Sequence, residues 1–264
     1  MQKKITVVKI GGSTLGNHDT TLEDLVELQK QGQYLIVVHG GAKVTSEWLA
    51  RLGIPTSFVN GLRVTDAETL KVVAAALGGL VNKELVVAIQ ALRGKAVSLS
   101  GCDGNLLQAS IKSPELGYVG EIIAVDTTPL KLLLDAGYMP VVSPVSYGSV
   151  EGRTTLLNVN GDTAAGEIAA ALAVEKLIFL TDVDGIHDES GKAIPILKSA
   201  EAKNMLASGL ASGGMAPKIE ASLKALTTTQ VVRIVDGKVA HALLQEISGE
   251  ARQTESRGTT IVPE

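Results

Sequence analysis

The sequence predicts an α/β protein in which an open, mainly parallel sheet is sandwiched between helices. Short β-branched and aliphatic runs alternate with amphipathic stretches along the whole chain, the pattern of strands joined by crossover helices. The first two runs both close on paired glycines, Gly11-Gly12 and Gly40-Gly41, and helix-start signatures stand between runs. Ile5–Ile10 reads as a strand buried on both faces. A Thr20/Glu23 capping box opens a helix over 20–31, and 34–38 is the next strand. Residues 43–52 form a helix closed by Gly53 and Pro55, while Thr65 with Glu68 starts a long alanine-rich helix reaching about residue 93. A third strand covers 96–100. Around 105–125 the apolar period shifts toward two, with Gly117 and Gly120 as turn signals, which predicts a hairpin insertion at one end of the sheet. A helix over 128–136, strands over 139–143 and 154–160 and a helix over 163–174 follow. The later part opens on its most apolar strand, 176–181, followed by a turn at Asp184-Gly185 and helices near 200–207 and 215–227. A strand over 231–235, a helix near 239–247 and a terminal strand around 260–262 complete the chain. The pattern divides into lobes 1–174 and 175–264 of one continuous-sheet domain.

Composition excludes several classes of function. The 264 residues are 45% apolar and 20% charged, with 24 basic against 28 acidic side chains, a net charge of −4. That balance speaks against disorder and against coating nucleic acid. Aromatics make up 3% against 28 glycines, so the core is expected to be aliphatic and stacking platforms for bases are not expected. Cys102 has no partner for an internal disulfide, and one cysteine with four scattered histidines does not make a structural zinc site. No apolar run approaches the roughly 18 residues of a spanning segment, and the start Met1-Gln2-Lys3-Lys4 leads into no cleavage site. The expectation is a cytoplasmic protein without a membrane partner and without a resident metal.

Six stretches carry chemistry. Lys9-Ile10-Gly11-Gly12-Ser13 ends a strand with a lysine and two glycines, which can bring a point charge and backbone N–H groups to an anion; a solvated lysine before a turn is the competing reading. His39-Gly40-Gly41 repeats that ending on the next strand, with His39 read as a structural histidine. Asn158-Val159-Asn160-Gly161-Asp162 sets three polar side chains at alternate positions at a strand-to-helix junction, where helix capping alone accounts for one. Thr181-Asp182-Val183-Asp184-Gly185 follows an apolar strand, at the carboxyl edge where open α/β sheets bind ligands, or is a simple Asp-Gly turn. Gly213-Gly214-Met215-Ala216-Pro217-Lys218 puts a lysine in the first turn of a helix, where the dipole disfavours it unless an anion shares the site. Arg63, in Asn60-Gly61-Leu62-Arg63-Val64-Thr65, suits bidentate binding of a carboxylate. Neither a Walker loop nor a dinucleotide fingerprint is present.

In this order the stretches resemble the amino-acid kinase family over residues 4–262, and within it the members that phosphorylate N-acetyl-L-glutamate. NGLRVTD at 60–66, NVNGDTAA at 158–165 and an early KIGG paired with a late GGMAPK carry the resemblance. It implies transfer of a phosphoryl group from ATP, accompanied by Mg²⁺, to a side-chain carboxylate, in arginine biosynthesis. Lys9 and Lys218 would flank the transferring group and Asp162 would hold both lysines. Gly11 and Gly12 would donate N–H groups to phosphates, Gly40 and Gly41 would line the acylated amino acid, and Arg63, Asn158 and Asn160 would bind it. Thr181, Asp182, Val183, Asp184, Gly185, Leu210, Ala211 and Ser212 would hold the nucleotide, giving an amino-acid lobe before residue 174 and an ATP lobe after it. Ala42 departs from a usual third glycine, which is expected to shift that loop, and Gly161 stands where alanine is common. A homodimer is implied and, because the first strand begins within about four residues of Met1, one without arginine feedback; a nitrogen-signalling partner stays open. Kinases of carrier-linked or N-acetylated aminoadipate in lysine biosynthesis, and a non-catalytic nucleotide-binding regulator, are the alternatives.

Overall fold

The computed structural model describes residues 4–11, 20–211, 213–248 and 258–264. Among them the chain order is β1 (Ile5–Ile10), α1 (Thr21–Lys30), β2 (Tyr34–His39), α2 (Ala42–Arg51), the two-residue strands β3 (Phe58–Val59) and β4 (Leu62–Arg63), α3 (Ala67–Ala74), a π-helical turn (Ala75–Val81), α4 (Asn82–Ala91) and β5 (Ala96–Ser100). Then come β6 (Leu107–Ile111), β7 (Gly120–Val125), α5 (Thr128–Asp135), β8 (Met139–Ser143), β9 (Val145–Val150), β10 (Arg153–Asn158) and α6 (Gly161–Leu172). The chain continues with β11 (Lys176–Thr181), β12 (Ile196–Lys198), α7 (Ser199–Ala207), α8 (Met215–Ala225), β13 (Val231–Asp236), α9 (Ala242–Ser248) and β14 (Thr259–Val262).

Eight of the described strands form one sheet in the order β12-β14-β13-β11-β1-β2-β8-β5. Every pairing in it is parallel except β13 with β14. β1 pairs with β2 on one side and β11 on the other, so strands from before and after residue 174 share this sheet. Side chains alternate across it. Val7 of β1 joins the apolar cluster under α5, α6 and α8, whereas Val8 and Ile10 join the cluster under α1, α4 and α9. Covering on both faces explains why these strands read as unbroken aliphatic runs. Phe179 is the sole buried aromatic among the described residues.

The period-two stretch forms the antiparallel pair β6–β7, but not as an insertion on the end of the main sheet. A second hairpin, β9–β10, joins it in a separate four-stranded sheet of order β10-β9-β6-β7. The strand expected over 154–160 is thus β10, ending at Asn158, and β9 went unread because Pro144 and Gly148 look like loop residues. Gly148 is required there, since a Cβ would collide with the Ala109 carbonyl of the neighbouring strand. β12 and the β3–β4 ribbon were also too short to leave a period.

Neither expected capping box forms. Thr20 precedes α1 without a side-chain cap bond; its Oγ1 accepts from the His241 N–H at 2.6 Å. The cap of α3 is Asp66, which accepts from the Thr69 N–H at 2.7 Å. Thr65 is held in extended pairing by Leu116 and Tyr118, so the helix cannot begin before it. The long helix contains the π-helical turn around Gly78-Gly79. By length and composition alone Ala67–Ala91 could cross a bilayer, contrary to the reading of the bare sequence; half of its apolar window is buried in this fold, with Leu85 and Ile89 in the core.

The helices α6 and α8 touch where Gly166 faces Ala221. A Cβ at 166 would lie 2.5 Å from the Ala221 carbonyl oxygen and 2.9 Å from its Cα. Gly166→Ala should therefore lose about 1–3 kcal/mol to overpacking, more than the roughly 1 kcal/mol alanine gains in a helix interior. A lowered urea midpoint is the expected result, and an unchanged one would mean the helices have slack. On the other face, His241 Nδ1 sits 2.7 Å from Asp24 Oδ1, and this hydrogen bond with the Asp24 charge raises the His241 pKa above its ordinary value. Because the folded pKa exceeds the unfolded one, the tie contributes fully below about pH 6.5 and is lost as pH rises through the raised value. His241→Gln should flatten the unfolding midpoint against pH over that range; a variant that keeps the native slope would assign it to other groups.

Candidate active site

The carboxyl ends of β1 and β2 and the first turns of α6 and α8 meet at one carboxylate. Asp162, the second residue of α6, is 5% exposed. Its Oδ1 lies 2.7 Å from Lys9 Nζ and its Oδ2 3.2 Å from Lys218 Nζ. Lys218 Nζ also donates to the Gly214 carbonyl at 3.2 Å. Burial alone would push the Asp162 carboxyl up; the charges of Lys9 and Lys218 outweigh it and hold the group below the usual carboxylate range. One negative and two positive charges leave a net positive centre with little solvent to screen it.

Asn160 caps α6, accepting from the N–H groups of Asp162 at 2.8 Å and Thr163 at 3.1 Å. Asn158, Asn160 and Asp162 are therefore not alternate positions of one strand, since β10 stops at Asn158, yet all three line one cavity of about 350 Å³. Lys9, Gly40, Gly41 and Arg63 line it as well. Arg63 is 7% exposed, and burial draws its pKa down. Its Nη2 donates to the Ala42 carbonyl at 3.1 Å and to Ser46 Oγ at 2.8 Å, and its guanidinium lies 4.8 Å from the centre of the Phe58 ring. Nη1 is buried with no partner. Asn158 Nδ2 donates to Thr65 Oγ1 at 3.0 Å, which turns the side-chain carbonyl into an acceptor for something else. A buried guanidinium N–H and an adjacent amide oxygen form a complementary pair for a carboxylate beside an N–H donor.

Ala42 begins α2 in helical geometry and needs no positive φ. A Cβ at Gly161 would stand 3.3 Å from the His39 carbonyl oxygen, a tight approach, and 3.5 Å from Lys9 Cε, an ordinary contact. Gly11 does not offer its N–H freely, because that group donates to the Leu180 carbonyl at 3.1 Å. Gly12 and Ser212 lie outside the described residues.

The residues after β11 do not line this cavity. Thr181 is buried, with Oγ1 3.3 Å from Asp182 Oδ1, and the Asp182 carbonyl accepts from Lys238 Nζ at 2.8 Å. Asp184 pairs with His187 at 3.0 Å, while Val183 is partly exposed. Gly185 has φ +137° and no space for a side chain against Thr259. Leu210 lines a separate 480 Å³ pocket with Glu201 and Met205, and Ala211 is buried. Sequence reasoning missed Phe58, Lys43 and Leu77 in the cavity wall and the hold of Thr65 on Asn158; the NGLRVTD run already contained Thr65 but suggested only a cap.

The sequence pattern of the amino acid kinase family matches residues 4–236. The chain belongs to the amino acid kinase family. This amino acid kinase is 44% identical over 262 residues to an acetylglutamate kinase of Dehalococcoides mccartyi, covering 98% of this chain and 94% of the relative. A Streptococcus mutans protein, smu.665, superimposes with a TM-score of 0.83 at 27% identity, covering 99% of each chain. An N-acetylglutamate synthase of Neisseria gonorrhoeae, solved with coenzyme A and N-acetyl-glutamate, gives 0.82 at 28% identity over all of this chain and 60% of its own.

Asp162→Asn removes the charge that holds the two lysines. Steady-state kinetics should show kcat reduced by about 10²–10³-fold, with circular dichroism unchanged; native turnover in the folded variant would deny the carboxylate its role.

Proposed function

We propose that this amino acid kinase transfers the γ-phosphoryl group of ATP to the side-chain carboxylate of N-acetyl-L-glutamate, giving an acyl phosphate in arginine biosynthesis. The single observation that carries the reading is the cavity itself: Arg63 Nη1, buried without a partner, and the free face of Asn158 stand in the same 350 Å³ space as Lys9 and Asp162, the carboxylate that Lys218 also pairs. Arg63 would take the α-carboxylate, and the Asn158 oxygen would accept from the amide N–H that distinguishes an acylated amino acid from a free one. Leu62, Val64, Thr65 and Asp66 around Arg63 add no basic residue that could grip an acidic carrier, which favours a small free substrate over a carrier-linked one. The names of the relatives above support the same substrate.

The reaction needs positioning and charge more than covalent chemistry. A carboxylate oxygen attacks the γ-phosphorus, a new O–P bond forms, and the bond to the bridging oxygen breaks with its electron pair leaving on ADP. The nucleophile is already ionised at neutral pH, so no proton moves and no general base is required. Lys9 and Lys218 offset the repulsion between two anions. Gly11, Gly12, Thr181, Asp182, Val183, Asp184, Gly185, Leu210, Ala211 and Ser212 would receive the nucleotide, supported by the place of β11 beside β1, with both carboxyl ends on the side where open sheets take ligands.

Mg²⁺ fits as a companion of ATP. Asp162 is occupied by two ammonium groups, and among the described residues no group of three or more His, Cys, Asp or Glu could hold a metal. The ion would stay on phosphate oxygens and water, where it neutralises phosphate charge. We also propose a cytoplasmic homodimer, with the half-exposed edge strand β5 and exposed Val87 of α4 as its contact face.

A hydroxylamine-trapping assay with ATP and Mg²⁺ tests the reading. Hydroxamate should form with N-acetyl-L-glutamate and not with glutamate, N-acetyl-aspartate or aminoadipate derivatives. A product from another acid would move the substrate, and silence with all of them despite ATP binding would favour a regulator. Lys218→Ala should lower kcat by about 10²–10³-fold while sparing the fold.

A further inference from the structure

We infer that Asn82 and His39, neither of which lines the cavity, are positioning residues that fix the Gly40–Gly41 peptide so that the Gly41 N–H faces the reacting anions; this rests on reading the cavity as the phosphoryl-transfer site. His39, the last residue of β2, is fully buried and both ring nitrogens are engaged. Nδ1 lies 2.7 Å from the Gly40 carbonyl oxygen, and Nε2 lies 3.0 Å from Asn82 Nδ2. A carbonyl only accepts, so Nδ1 carries the proton. Asn82 is 1% exposed, and its Nδ2 also lies 2.9 Å from the Val141 carbonyl oxygen and 3.3 Å from that of Leu99. Two carbonyls on that side require the amide nitrogen there, since the oxygen would be repelled. Nδ2 therefore donates to Nε2 as well, and one tautomer of a neutral imidazole satisfies both ends. Burial, reinforced by the charge of Lys9 and opposed by the Gly40 hydrogen bond, brings the His39 pKa down to about 4, which keeps the ring neutral.

A planar trans peptide points its C=O and N–H in opposite directions. With the Gly40 carbonyl drawn onto the buried imidazole, the Gly41 N–H turns toward the cavity that both glycines line, and it has no acceptor among the described residues. The helix supplies the second half of the device. The π-helical turn Ala75–Val81 ends at Asn82, and Gly78 within it comes so near Ser100 that a Cβ would lie 3.1 Å from Ser100 Oγ. Leu77 of the same turn abuts Gly41 and lines the cavity. Asn82 Oδ1 remains buried without a partner. A leucine would fill that space without an orphaned oxygen, so the amide is retained for its donors.

Nitrogen-15 spectra of histidine-labelled, ligand-free protein read the tautomer directly, and should show His39 protonated on Nδ1 only. Asn82→Leu should leave Nε2 without its donor, so that the ring is no longer anchored from behind, and lower kcat by about 10- to 100-fold while the KM for ATP stays within about twofold. His39→Asn, whose amide can still donate to the Gly40 carbonyl, should keep most of the turnover that His39→Leu loses, and it serves where Asn82→Leu does not fold. An Nε2-protonated ring in the native protein, or folded Asn82→Leu and His39→Leu variants with native kcat, would overturn the inference. Absence of hydroxamate in the native protein would instead count against the phosphoryl-transfer reading, and the tautomer in the same sample would still decide the positioning.

Discussion

Two ammonium groups from opposite ends of the chain share one buried carboxylate, and much of the architecture exists to bring them there. Lys9 arrives on the central strand β1, Asp162 at the start of α6, and Lys218 in the first turn of α8. A unit pair at about 4 Å is worth on the order of 4 kcal/mol at an effective dielectric near 20, and desolvation takes back a comparable amount. The triad is thus close to balance as a stabilising element. Its surplus positive charge is what remains, held in a place where water cannot screen it. Such a centre is electrostatically complete only when an anion joins it.

The close approach of α6 and α8 serves that geometry. Gly166 lies one turn after Asp162, and Ala221 nearly one turn after Lys218, so the two ion-pairing residues meet where their helices begin because the helices touch a turn later. Beneath them the central strands β2, β1 and β11 pair in parallel and bury aliphatic side chains on both faces, with Thr6 a buried polar residue of β1. Polar residues appear where the strands end. His39 and Thr181 are buried at the carboxyl edge, and each bonds a neighbour in the loop that follows.

The sheet was legible in the sequence because burial on both sides leaves unbroken aliphatic runs, which need no partner to be recognised. Lys9, Arg63 and Asp162 each sit in a short local run that admitted a simple structural role as well, and it was the order of these runs, in its resemblance to a family, that set them apart. Helix starts misled, because Thr65 and Asp66 are adjacent and both are able to cap, and only the pairing of Thr65 with Leu116 and Tyr118 decides between them. β9 was hidden by Pro144 and Gly148, although the glycine is needed for the backbone of β6 to approach. Asn82 left no local trace. It lies in an apolar helix, 43 positions from the histidine it contacts, and the Gly78-Gly79 pair that accompanies the π-helical turn is the nearest signal.

Charge accounting also explains what His39 does not do. A carboxylate nucleophile requires no base, so a titrating histidine would have no proton to take. Protonated, it would add a further positive charge beside Lys9, behind a wall that already carries Lys9, Lys43 and Arg63 and only one carboxylate, Asp162, which Lys218 also pairs. Burial prevents this by making the charged ring more costly than the neutral one. The same burial leaves the imidazole as a two-ended hydrogen-bonding spacer, donating toward Gly40 and accepting from Asn82. Positive charge at this site is thereby confined to lysine and arginine side chains, and the backbone can contribute a neutral donor whose direction does not vary with the proton concentration outside.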